Sequence, residues 1–255
     1  MTTLDFTPAP VAAPFARMVL AQAAAETRQT LRNGEQLLLT LIIPVLLLVG
    51  FSLAPLIDIG GGRRIDFLAP GVLALAIMST AFTGQAIATG FERRYGVLKR
   101  LGATPLSRAG LLLAKTVAVL AVEGVQVVVI VAVALALGWR PQGSPVAAVL
   151  LVLLGTAAFS GLGLLMAGLL RAEATLAAAN LVYLVLLGAG GVIFPLDKFP
   201  AGVRPALELL PISALTRGLR SVLAEGAALP LGALAVLAAW AVLSLGLASR
   251  TFRWE

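Results

Sequence analysis

The chain has 255 residues, 60% hydrophobic and only 12% charged, with a mean hydropathy of +1.01 and a formal charge of +7. A soluble domain carries roughly 25% charged residues, so this much apolar surface calls for lipid. Cys and His are both absent, which removes disulfides, Cys/His metal centres and every Ser-His or Cys-His nucleophile. The basic residues are strung between apolar runs instead of gathered on one face, which argues for no nucleic acid among the partners.

Met1 to Ala25 contains Asp5, several prolines and Arg17 but no unbroken apolar stretch, so it does not read as a signal peptide. From Pro14 to Asn33 the pattern turns helical. At ~100° per residue Arg17, Arg28 and Arg32 share one arc, with Phe15, Met18 and Val19 broadly opposite. The expectation is an amphipathic interfacial helix on the inner leaflet, within an N-terminal cytoplasmic segment, residues 1–35. An alanine-rich helix in solution or lying against a partner is the alternative.

Residues 36–255 are expected to form the transmembrane domain, all-α and polytopic. About six apolar runs are long enough for a ~30 Å hydrocarbon core, which takes about 20 helical residues. They lie near residues 37–57, 67–90, 109–138, 146–170, 174–194 and 229–248. Short interruptions at Asp58 to Asp66, Trp139 to Pro145 and Arg171 to Glu173 make neighbouring helices antiparallel. With both termini inside, the cytoplasmic loops collect Arg93, Arg94, Lys99, Arg100, Arg108, Arg171, Arg250 and Arg253. This excess favours an N-in, C-in topology.

Between the second and third runs lies a dense basic segment, Phe91 to Arg108. Tyr95, Leu98 and Leu101 recur at i, i+3 and i+6 with Val97 nearby, flanked by Arg93, Arg94, Lys99 and Arg100. That describes a short amphipathic rod able to lodge its apolar edge in a partner's groove. Thr104 before Pro105 ends the rod, and Ser107 caps the next span.

Polar groups inside the runs are the other candidates. Glu123 lies deep in the third run with Gln126 one turn on, and an ionisable group at that depth serves helix packing, gating or cargo contact. Gln85 and Asn180 read as interhelical glue, and Lys115 as a side chain snorkelling to the inner face. Gly155, Ala158, Gly161, Gly163, Ala167 and Gly168 let helices approach closely. Between runs five and six, Phe194, Pro195, Pro200 and Pro211 punctuate stretches of about 8–10 apolar residues, too short to cross. Re-entrant or surface helices at the outer mouth are expected there.

The segment Glu92 to Arg108 with Leu111 to Lys115, and Gly191 to Pro200 with Leu209 to Ser213 and Leu219-Arg220, resembles the ABC type-2 transporter permeases, in part the daunorubicin-type drug-resistance permeases. The resemblance implies the membrane subunit of an ATP-driven exporter in a bacterial cytoplasmic membrane. Its implied cargo is a hydrophobic or amphiphilic drug or lipid-like molecule, with a polysaccharide second. Implied partners are a second or paralogous permease and ABC ATPase subunits docked at Glu92, Arg93, Arg94, Tyr95, Val97, Leu98, Lys99, Arg100, Leu101, Thr104 and Pro105. ATP and Mg2+ would belong to the ATPase, and this chain would hold no cofactor. Gly110 to Thr116 echoes a phosphate-binding loop but is one residue short, with Ala114 where the second glycine belongs. The competing classes are an ion-driven carrier using Glu123 as its relay and a membrane lipid enzyme, for which clustered polar chemistry is missing.

Overall fold

A computed structural model describes residues 12–54, 63–192 and 195–251, with backbone only at 35–37 and 39. Helix α1 (Phe15–Arg32) ends at Asn33 and is followed at once by α2 (Gly34–Leu53). Next, α3 (Arg64–Ile77), a π-helical segment (Met78–Gly84) and α4 (Gln85–Arg94) run on as one rod of 31 residues. The short α5 (Val97–Gly102) leads to α6 (Arg108–Ala136), α7 (Pro145–Leu169) and α8 (Ala172–Ala189). A 3-10 turn (Leu196–Lys198), α9 (Arg204–Glu208), α10 (Pro211–Leu223) and α11 (Leu231–Thr251) complete the order.

Five of these elements are long and apolar enough to cross a membrane: the α3–α4 rod, α6, α7, α8 and α11. They fall on the second to sixth expected runs. The first falls on α2, whose apolar stretch Thr40–Leu53 is shorter; residues 55–57, Phe194 and the glycine triplet at 60–62 lie outside the described residues. The described residues are 82% helical and contain no strand, as in an all-α polytopic membrane protein.

Burial explains the arrangement. Every residue from Leu68 to Met78 is buried, because the α3–α4 rod packs against α2, α6, α7, α8 and α10. The small residues of α7 make close packing possible. A Cβ on Gly163 would lie 2.7 Å from the Phe82 carbonyl oxygen, and one on Gly155 3.0 Å from Leu215. Ser244 on α11 donates to the Ala158 carbonyl across the α7–α11 contact, at 3.1 Å.

The chain has two distinct ends. At one, Arg93 donates to the carbonyls of Gly168 and Leu170, and Arg94 pairs with Glu173, so the end of α4 caps the C-terminus of α7 and the start of α8. At the other, Arg63 bonds the Gly138 carbonyl, and the Gln142 amide donates to Leu223 at 2.9 Å. Here α9 and α10 fall on the stretch between the fifth and sixth expected runs, with Pro211 opening α10. Trp240 donates to the Leu209 carbonyl at 2.8 Å. Since Trp240 lies nine residues into α11, about 13 Å along its axis, the segment dips well below the start of that helix.

Helix α1 differs from expectation. Val19, Ala23 and Glu26, at i, i+4 and i+7, form one stripe, and Val19 and Ala23 are buried where α1 packs against α6. The outward stripe is Leu20, Ala24 and Leu31, with Thr27 half-buried between them. A thin apolar arc in sequence conceals two faces, one for the protein and one left exposed.

Candidate functional site

Local chemistry breaks the expected rod after Tyr95. Gly96 adopts a left-handed conformation (φ 71°), ending α4, and α5 restarts at Val97. Tyr95 therefore belongs to the end of α4, where it stacks on Phe91 at 6.1 Å. Ser107 does cap α6, accepting from the Gly110 amide at 3.1 Å. Thr104 donates to the Leu101 carbonyl at 2.6 Å, closing the turn before Pro105.

This break reverses one expected side chain. Leu98, assigned to the partner-facing edge, is 0% exposed and packs with Val19, Leu106, Leu111 and Leu164. The outward surface instead presents Tyr95, 69% exposed, and Val97, with Lys99, Arg100, Thr104 and Pro105 around them. Leu101 is half-buried. Arg93 and Arg94 are engaged within the chain, stapling the loop to α7 and α8.

Beneath the loop lies an ion cluster that the sequence reading missed. Lys115 does not snorkel: it is 3% exposed, 2.6 Å from Glu92 on α4 and 3.2 Å from Glu26 on α1. Such burial is tolerable because two carboxylates compensate the ammonium. Gly110 to Thr116 is helical within α6, and its lysine is clamped by carboxylates, so the stretch cannot cradle a phosphate chain. Beside the cluster a cavity of about 160 Å³ is lined by Gln85, Thr89, Thr80 and Val122 among others. Gln85 is buried there, and among the described residues neither amide atom has a partner, in place of the expected interhelical bond.

Glu123 and Gln126 face different neighbours. Glu123 accepts from Thr156 on α7 at 2.5 Å, its other oxygen being buried without a partner among the described residues. Gln126 accepts from Thr80 in the π-helical segment at 3.0 Å and donates to the Thr40 carbonyl at 3.1 Å, joining α6 to α2 and the central rod. Asn180 bonds back to the Leu176 carbonyl of its own helix at 2.8 Å.

Asn180 lines a second cavity, about 600 Å³, between α2, the π-helical segment and α8. Ile43, Pro44 and Leu75 supply its apolar wall, and Ser79, Thr83, Asn180 and Tyr183 its polar one. A π-helical turn widens the rod and recurs at functional sites. Here it brings Ser79 and Thr83 to the cavity wall.

Helices packed around a buried rod, with a lateral amphiphilic cavity and a stapled loop at one end, define a polytopic membrane transport subunit. Residues 19–224, from α1 to the end of α10, match the family model of the ABC-2 type transporter, and the chain belongs to that family as the membrane subunit of an ABC transporter. A comparison with curated proteins finds no match. Membership implies association, in general, with an ATP-binding subunit.

Proposed function

We propose that this permease exports a hydrophobic or amphiphilic molecule, drug- or lipid-like, with energy from ATP and Mg2+ on separate ABC ATPase subunits. The observation that carries the cargo reading is the cavity between α2, the π-helical segment and α8, whose apolar and polar walls suit a molecule with both characters. A pathway would form where a second or paralogous permease closes it. The exposed α8 residues Leu181, Leu184 and Val185 offer an apolar face to lipid or to such a partner.

The ATPase docks on Tyr95, Val97, Arg100, Leu101, Thr104 and Pro105, an exposed surface on a loop anchored by Arg93, Arg94 and Leu98. A push there reaches α4 directly and α1 through Glu92, Lys115 and Glu26. Both termini lie on the cytoplasmic side of a bacterial plasma membrane, residues 1–35 being the N-terminal cytoplasmic segment and 36–255 the permease domain. The outward stripe of α1 rests on the inner leaflet. Glu123 lines neither cavity, which counts against an ion carrier working through it.

The test is reconstitution. The full chain alone should hydrolyse no ATP, and a co-purified ATPase should show hydrolysis stimulated by amphiphilic cargo. Transport driven by an imposed ion gradient without ATPase would overturn the reading.

A further inference from the structure

At the end opposite the α5 loop, α10 packs Ile212, Leu215 and Leu219 inward. Its other stripe, Ser213, Thr216, Arg217, Arg220 and Ser221, recurs at i, i+3, i+4, i+7 and i+8. On an ordinary amphipathic helix such a stripe meets water. Here Ser213 and Thr216 are each 1% exposed, and neither hydroxyl has a hydrogen-bond partner among the described residues. They border a cavity of about 360 Å³, closed on its other side by Gly190, Gly191, Pro195 and Leu196.

Arg220 lines the same cavity and is fixed in place. Its Nε donates to the Phe67 carbonyl at 3.2 Å, and its two Nη atoms to Gly191 at 2.7 Å and Val192 at 2.8 Å. The guanidinium lies 3.6 Å over the Phe67 ring. These bonds use three of five N–H donors, and among the described residues no carboxylate pairs with it. Arg217 is shared with Glu208 at 2.9 Å, and Glu225 also lines the cavity.

Three carbonyls and a ring account for Arg220 as a staple between α10, α3 and the turn after α8. They do not account for two unpartnered buried hydroxyls around a cavity beside an uncompensated cation. A tetrahedral oxyanion supplies what is missing, because it accepts from hydroxyls and spare guanidinium donors together. We propose that this cavity binds a phosphate group, held by Ser213, Thr216 and Arg220, and that its source is a phospholipid head group in the adjoining leaflet. A head group arrives there already concentrated by the membrane, and the volume exceeds that of a bare phosphate. The site is separate from the cargo cavity and does not depend on the export reading.

The test uses the full chain in a neutral maltoside detergent, titrated with dioctanoylphosphatidylethanolamine, with dioctanoylglycerol of the same chains but no phosphate, and with inorganic phosphate. Thermal unfolding is the readout. The phospholipid should raise the midpoint saturably while dioctanoylglycerol does not. Ser213→Ala with Thr216→Val breaks no existing hydrogen bond, so this variant should fold normally and bind the phospholipid roughly tenfold more weakly. Glu225→Gln removes a like charge and should tighten binding severalfold. A saturable shift with inorganic phosphate matching the phospholipid's would uphold the phosphate site and overturn the lipid as its source. Equal shifts from both amphiphiles, or an unchanged response in the double variant, would overturn the site itself.

Discussion

Lys115 and Glu92 meet at 2.6 Å, joining α6 to the helix that carries the α5 loop, while Glu26 reaches the same ammonium from α1 at 3.2 Å. Three elements thus converge on one buried charge. Breaking a buried ion pair by removing one partner costs about 3–5 kcal/mol. The carboxylates keep 17% and 23% exposure, which lets water relieve part of the damage. Lys115→Ala should therefore destabilise by about 3 kcal/mol, the low end of that range. Exchanging the charges with Lys115→Glu and Glu92→Lys should recover part of it. Thermal unfolding of the singles and the double forms the cycle, and absence of coupling would show that the cluster does not hold the helices together.

The loop separates two roles that one helical rod would have merged. Leu98→Ala removes a fully buried side chain and should cost about 2–4 kcal/mol, seen as loosened protection of the loop in hydrogen exchange. Val97→Asp alters an exposed position, so the chain should insert and fold normally. If the docking proposal holds, Val97→Asp and Tyr95→Ala should each weaken ATPase co-purification by roughly tenfold, the effect of removing an interface anchor of about 1.4 kcal/mol. Full ATPase binding by both variants would make the loop merely topogenic.

Glu123 accepts from Thr156, and that bond survives replacement of the carboxylate by an amide. Glu123→Gln should leave cargo-stimulated hydrolysis within about twofold of the unmodified protein, as expected for a packing role. Were the unmodified protein driven by a proton gradient and the variant insensitive to it, the carrier reading would replace export by ATP.

Gly163 marks a close approach of α7 to the central rod. Because a Cβ there would press on the Phe82 carbonyl backbone, Gly163→Ala should cost about 1–3 kcal/mol by overpacking. Gly188, with open space around its Cβ position, is the control: Gly188→Ala should be neutral or mildly stabilising. Similar losses in unfolding temperature for both would mean that the contact yields without strain.

Topology is directly testable because the chain has no native cysteine. Single cysteines at Ser107 and Gln142, both exposed at opposite ends of α6, should label from opposite sides, Ser107 from the cytoplasm. Labelling of both from one side would undo the assignment of α6 as a span.

Membrane character, the helical runs and their punctuation were decided by the sequence itself, since the hydrophobic lengths and charge placement that impose them are properties of contiguous residues. So were the Ser107 cap and the short helices after Pro200, both local in origin. Gly96 could have announced the break in the rod, because glycine favours the left-handed turn ending a helix. Tertiary structure alone turned Leu98 inward, drew Arg93 and Arg94 onto α7 and α8, and gave Glu123 its partner on α7. Lys115 and Glu26 lie 89 residues apart, and Arg220 meets Phe67 across 153. No periodicity carries such information, because these contacts exist only once packed helices exclude water and leave each buried charge and hydroxyl to find, or lack, a partner.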